Sequence, residues 1–487
     1  MSSEQPIVIG AGVAGLAAAV ELARAGLRPR LLEARPFVGG RVRSFVHAAT
    51  GDEIDNGQHL LMGCYHQTFR LLELIGTRDL VTIQDRLRVD FRDADGTPDR
   101  LIAARSLPSP LDVLWGMLRL RRLSMRERLS LVRVARAAMR HDGPDETVES
   151  LLTRLGQSPA ARERLWDPIV IATLNTAPHQ ASALLFLEVM RRAFLGRGDD
   201  ARLAIPRVGL SRLLEPAVSY INDRGGSVEL GASVVAIVSA GGRHVIRVKD
   251  HPDITTTRLV LAVPPRSAAM LLEAQGGVTR ATAAADDPLE LSPIVSLYLW
   301  YDRPLDDLPE MTALLGTRVQ WVFNRRRMMA QPARDDESRS HADASRPSES
   351  RAFESRSSES QTATSRLGLL SCTISAADVE SAESAEQVIA RADAELRGAF
   401  AELAGARLVD ALVVKEKHAT FRATPSIGPL RPATRSGVAG LYLAGDWTAT
   451  GLPATIEGAA QSGFDAAAAL LADGSVTAGH SGRPAPK

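Results

Sequence analysis

At 487 residues the chain is longer than one compact core usually holds, which predicts two structural domains. A formal charge of +1 at pH 7 supplies no global attraction to nucleic acid, and 45 % apolar residues suit a packed interior. Cys64 and Cys372 stand far apart without metal-ligand spacing, which argues against a disulfide framework or a metal site and fits a reducing cytoplasm. Met1 to Pro6 carries no basic start, apolar stretch or cleavage site, and no apolar run is long enough to span a bilayer, so a cytoplasmic protein is expected.

The first 35 residues read as a strand, glycine turn, helix and second strand. Ile7-Val8-Ile9 is apolar, GAGVAG (10–15) is the turn, Val13 to Ala25 has helix-forming composition, and Arg30-Leu31-Leu32-Glu33 is the next strand. Parallel strands joined by a helix predict an α/β domain of Rossmann-like type. Gly10 permits the tight turn, Gly12 lets backbone approach a pyrophosphate, and Gly15 lets helix and strand pack closely, with Ala14 in the same turn. The phosphates then meet the free N–H groups and positive end of the helix. Glu33, eighteen residues past Gly15, is placed to accept ribose hydroxyls and disfavours a 2′-phosphate.

Further along, Val228–Val238, Arg258–Val263 and Gly440–Ala444 read as strands. Residues 1–80, 205–265 and 420–472 are therefore expected to form one discontinuous dinucleotide-binding domain, and 81–204 with 266–419 a second, α+β substrate domain. Leu111 to Arg140 is helical by pattern, with Leu111, Leu114 and Leu118 on one stripe and Met125, Leu129 and Val132 on another. It holds eight arginines against Asp112 and Glu127. Such a stretch either packs between domains with a solvated arginine face or lies on an anionic membrane surface. Residues 331–366 hold ten serines and Phe353 as the one large apolar side chain, which predicts a disordered insertion. Val319–Phe323 and Leu367–Ser375 are strand-like and can pair across it. The tail, 473–487, is expected to fray.

Directly after Glu33, ARPFVGGRVRSF (34–45) resembles the flavin amine oxidase and phytoene desaturase superfamily, and LAGDWTATGLPATIEGAAQSG (443–463) is similar to the second flavin motif of that family. The resemblance implies bound FAD. It places Arg35, Gly39, Gly40 and Arg41 along the dinucleotide, with Arg41 neutralising phosphate. It sets Gly445 and Asp446 at the ribityl-pyrophosphate region, the backbone of Ile456 and Glu457 at the isoalloxazine, and the main chain of Val234 at the adenine. Covalent members use a cysteine near the C-terminal motif, so non-covalent FAD is implied here. Thr455 stands where amine oxidases carry an aromatic residue of the substrate cage.

DNGQHLLMGCYHQTFRLLELIG (55–76), WDPIVIATLNTAPHQAS (166–182), IPRVGL (205–210), LAVPP (261–265) and QWVFNR (320–325) resemble a narrower group, the hydroxysqualene dehydroxylases of squalene and hopanoid synthesis. That likeness implies a hydrophobic isoprenoid substrate, hydroxysqualene, which loses its hydroxyl as water and takes hydride from reduced flavin. An acid must protonate the departing oxygen. His59 is the first candidate and Asp55 the second, each with a structural alternative. Gly57 and Gln58 are set beside the flavin, and Trp166 and Asn175 at the substrate entrance. Other readings on the same motifs are a carotenoid-type desaturase, a flavin amine oxidase, and a non-catalytic flavoprotein scaffold for prenyl synthases. A second GxGxxG unit is absent from the sequence, so electrons are expected from a separate reductase or free reduced flavin.

Overall fold

The computed structural model describes residues 5–141, 143–196, 198–273, 289–329 and 367–480, with side chains up to residue 473. The serine-rich stretch 331–366 and the last residues, 481–487, lie outside the described residues.

The nucleotide-binding half is built on five short parallel strands. In chain order they are β1 (Ile7–Ile9), β2 (Arg30–Glu33), β3 (Ser227–Leu230), β4 (Leu259–Leu261) and β5 (Leu441–Leu443). Across the sheet the order is β3-β2-β1-β4-β5. Each central strand is a run of Val, Ile or Leu because both faces are covered. One cover is α1 (Val13–Arg24), buried from Val13 to Ala23, whose alanines permit packing all round. Against it lies the last helix, Ile456–His480, at a contact so close that a Cβ on Gly463 would fall 2.1 Å from the Ala14 carbonyl oxygen. This helix runs into the stretch from residue 473 that was expected to fray, and Asp473 pairs with Arg435 and Tyr442.

The Val228–Val238 segment, expected as one strand, is two. Gly231 at φ +75° ends β3, and Val234–Ala240 starts a separate three-stranded antiparallel sheet. The helical stretch 111–140 is a pair of helices, as its two stripes implied: α2 (Leu111–Leu118) and α3 (Met125–Arg140). Ser124 restarts the second by accepting from the Glu127 N–H, while the Glu127 carboxylate accepts the Ser124 N–H.

The other half is a seven-stranded mixed sheet whose longest members are Leu291–Tyr301 and Leu408–Phe421. Within it Trp321–Asn324 and Gly368–Ser375 pair antiparallel, Trp321 opposite Thr373, joining the two sides of the serine-rich stretch. Helices between residues 111 and 194 pack beside this sheet around Trp166 and Phe186. The fold is thus α/β, a Rossmann-like nucleotide domain joined to an α+β domain. Among the described residues no helix is long and apolar enough to cross a membrane.

Candidate functional site

A doubly wound sheet offers its ligand the carboxyl ends of its strands. Here those ends carry Gly10 after β1, Glu33 after β2, the turn toward Val234 after β3, and Gly445-Asp446 after β5. Gly10 sits at φ +98°, and a Cβ there would lie 2.5 Å from the Ala262 carbonyl oxygen. At Gly15 a Cβ would come within 1.8 Å of the Gly10 carbonyl oxygen, so helix and turn touch backbone to backbone. Gly12 differs. It begins α1 at an ordinary φ of −71° without a side-chain cap, and a Cβ built on it meets nothing within 4 Å. Gly39 donates its N–H to the Ala11 carbonyl (2.8 Å), and Gly40 lies against Gly12, so the second glycine pair walls the same space. An uncapped helix start facing open room, with no acidic residue in the first turn, fits a phosphate group.

Glu33 already holds two main-chain groups there. Its Oε2 accepts the Ala11 N–H (2.7 Å) and its Oε1 the Arg35 N–H (2.9 Å), which pins the glycine turn to the end of β2 and leaves further lone pairs. Arg35 in turn accepts the Gly231 N–H at its carbonyl, bringing the approach to Val234 alongside. Arg41 and Asp446, 405 residues apart, meet at 2.7 Å, and the carboxylate keeps the guanidinium firmly charged. Arg41 also donates to the Ala419 carbonyl. The pair commits one edge of the guanidinium, yet 41 % of the Arg41 side chain stays exposed, enough to meet an anion as well.

The C-terminal motif is tied down by Arg431, which sequence reasoning passed over, and by its own Trp447 and Thr455. Buried Arg431 donates to the carbonyls of Asp446 (2.9 Å) and Leu452 (2.6 Å) and to Thr450 Oγ1 (3.0 Å), and burial pushes its guanidinium down to about 10. The Trp447 indole N–H reaches the Val263 carbonyl beyond β4 (3.0 Å). Thr455 caps the last helix by accepting the Gly458 N–H (3.0 Å), a task that an aromatic residue at this position cannot perform. Glu457, expected beside the flavin, directs its carboxylate elsewhere. It accepts the N–H groups of Gln67 (2.9 Å) and Thr68 (2.8 Å) and the Thr68 hydroxyl, capping the helix His66–Leu74. At Ile456 and Glu457 only the main chain is left to face a ligand.

Asp55 requires correction as an acid. It is 1 % exposed; its Oδ1 accepts Ser44 Oγ (2.7 Å) and the Leu210 N–H (3.0 Å), and its Oδ2 accepts Arg325 Nη1 (2.7 Å). The Tyr298 hydroxyl donates to its carbonyl (2.8 Å). These are the surroundings of the structural alternative rather than of an acid. Arg325 Nη1 also reaches Gln58 Oε1 (2.8 Å), so Gln58, expected at the flavin, has its carbonyl committed to the same clamp. Gly57 approaches Ser296, where a Cβ would lie 3.1 Å from Oγ. No motif flagged Arg325, because nothing in QWVFNR says that this arginine is buried.

His59 follows that clamp directly. Its half-buried ring makes no hydrogen bond to a described residue. Burial lowers its pKa, with Asp55 opposing and Arg41 assisting, so the imidazole is neutral near pH 7 and is no standing store of a proton.

Two expected substrate contacts are structural. Trp166 is 1 % exposed, donates to Gln157 Oε1 (2.9 Å) and packs edge-on to Phe186, leaving no face for a ligand. Asn175 caps the helix Asp167–Leu174 from a left-handed conformation. Its Nδ2 donates to the Ser292 carbonyl (3.2 Å) and Thr420 Oγ1 (2.9 Å), and its Oδ1 accepts the Ala376 N–H (2.6 Å). It locks the helical layer to the large sheet. Asn175→Ala is expected to cost about 3 kcal/mol in urea unfolding, since buried partners lose their bonds; a loss under about 1 kcal/mol would refute the clamp.

A profile described as flavin containing amine oxidoreductase matches residues 13–471. The hydroxysqualene dehydroxylase of Rhodopseudomonas palustris is 34 % identical over 474 residues, covering 96 % of this chain and 98 % of that protein. The zeta-carotene desaturase of Arabidopsis thaliana is 24 % identical over 490 residues, covering 94 % and 84 %. Among solved structures, a putative protoporphyrinogen oxidase from Exiguobacterium superposes with a TM-score of 0.66 at 16 % identity, covering 97 % of this chain and all of that one, a likeness of fold. The match supports a flavin cofactor, and the chain belongs to the flavin containing amine oxidoreductase family.

Proposed function

We propose that the chain holds FAD without a covalent link and reductively removes the hydroxyl of hydroxysqualene to give squalene. The observation that carries this reading is the 34 % identity to a hydroxysqualene dehydroxylase across nearly the full length of both proteins. The open space at Gly12 supports the pyrophosphate, Glu33 the ribose and Asp446 with Arg41 the far end of the dinucleotide. Dissociable FAD is favoured by the state of the cysteines. Burial pushes the Cys64 thiol up to about 12 and raises that of Cys372 as well, so neither offers a thiolate for flavin attachment.

The balance of the reaction is an alcohol, a proton and a hydride going to a hydrocarbon and water. Reduced FAD would supply the hydride. The protein must then deliver a proton to a hydroxyl that otherwise leaves as hydroxide. His59 is the free titratable ring beside the Arg325–Asp55–Gln58 clamp, and it relays a proton rather than storing one, because burial keeps it neutral. The aliphatic core around Leu60, Met62 and Leu203 suits an isoprenoid chain and excludes water.

The deciding measurement mixes anaerobically reduced protein with hydroxysqualene and examines the lipid extract for squalene. Desaturation of phytoene by the oxidised protein without squalene formation would move the assignment to the carotenoid desaturases, which the Arabidopsis relative also supports. Peroxide release from amines would move it to the amine oxidases. Flavin binding without turnover of any of these substrates would leave the scaffold reading.

A further inference from the structure

Both α2 and the basic helix α3 turn an apolar stripe outward. On α3, at about 100° per residue, Met125, Leu129, Val132, Arg136 and Met139 share an arc of about 80°. The opposite side holds Ser130, Leu131, Val134 and Ala138, all buried in the protein. Relative exposure is 66 % at Met125, 65 % at Leu129 and 62 % at Met139. On α2 the pattern repeats: Val113, Gly116 and Met117 face inward, while Leu111 and Trp115 are 52 % and 47 % exposed. Six of the fourteen large apolar side chains that are exposed among the described residues lie between Leu107 and Met139. An ordinary surface helix hides one stripe and wets the other. These helices are apolar on both sides.

Charge says what the outer side fits. Arg119, Arg121, Arg126, Arg136 and Arg140 are exposed and form no ion pair with a described residue; Arg119 lies over the Trp115 ring at 5.9 Å. Of the two acids on this stretch, Glu127 is consumed by Ser124 and Ser158, and Asp112 is half-buried at the start of α2. Unpaired arginines flanking exposed Leu, Met and Trp match the two layers of an anionic bilayer surface, phosphate outside and acyl chains beneath. We infer that α2 and α3 form a monotopic docking face for anionic lipid, with Leu111, Trp115, Met125 and Leu129 entering the acyl boundary and the arginines meeting headgroup phosphates. The inference is independent of which isoprenoid the flavin site transforms.

The test uses the full flavin-loaded chain and sedimentation with phosphatidylglycerol-rich or pure phosphatidylcholine vesicles. Wild type is expected to partition onto the first and only weakly onto the second. Combining R119Q, R126Q, R136Q and R140Q should weaken partition about a hundredfold, and combining L111S, W115S, M125S and L129S by a similar factor. Both variants should keep their flavin absorbance and melting temperature, because every changed side chain is exposed. Unchanged vesicle binding in either variant, or no binding by wild type, overturns the inference. So does a serine variant that dissociates a wild-type dimer into monomers while still binding vesicles, since a second copy of the chain would then be what covers this face.

Discussion

Gly12→Ala is expected to yield a folded protein that has lost its flavin. In the folded chain a Cβ at this position meets no atom within 4 Å, and φ of −71° suits any residue. At an N-cap alanine is poorer than glycine by about 0.5–1 kcal/mol, so the melting temperature measured without cofactor should fall by only a few degrees. The methyl group instead occupies the room proposed for the pyrophosphate, and affinity should fall about a hundredfold, read as flavin absorbance surviving gel filtration. Gly15→Ala makes the contrast: its Cβ would stand 1.8 Å from the Gly10 carbonyl oxygen, and the glycine turn cannot form. A Gly12→Ala protein that keeps wild-type flavin content would remove the phosphate from this turn.

Arg325→Met should cost about 3–5 kcal/mol in urea unfolding, because it strands a charged carboxylate in the interior. Arg325 and Asp55 have side-chain exposures of 3 % and 1 %, so the carboxylate would be left in the interior. Lysine at 325 presents a single point charge where the fork now serves Asp55, Gln58 and the Glu53 carbonyl, so it should recover only part of the loss. Adding Asp55→Asn to Arg325→Met should restore stability relative to Arg325→Met alone, since the orphaned charge is gone. If the double variant is instead less stable by the sum of both losses, the two side chains are not coupled and the clamp is refuted.

The glycine turn was legible in the sequence because everything it needs is local: an apolar triplet, three glycines and an acid after the next strand. The pairing of Trp321–Asn324 with Gly368–Ser375 was legible as two strand-like runs. Roles set by distant partners were not. Asn175 takes its partners from Ser292, 117 residues away, and Asp55 from Arg325, 270 away, so the sequence could not choose between a site and a clamp for either. Trp166 misled for the same reason, since its partner Phe186 and its burial are tertiary facts. At 125–140 the periodicity announced an amphipathic helix but could not say which side faced in, because Leu131, Val134 and Ala138 form a second apolar stripe that wins the interior.

The order of strands in the nucleotide sheet bears on how the protein is made. During synthesis β1 and β2 leave the ribosome before β3 and β4, and β5 follows after a long interval, although β5 borders β4. Until residue 443 has emerged, β4 is an apolar edge with unpaired backbone groups, and Arg41 lacks the carboxylate that will face it. The ion pair between Arg41 and Asp446 thus joins segments made 405 residues apart. A nascent chain therefore keeps this edge open from residue 261 until residue 441 has been made, an interval in which β4 can pair wrongly.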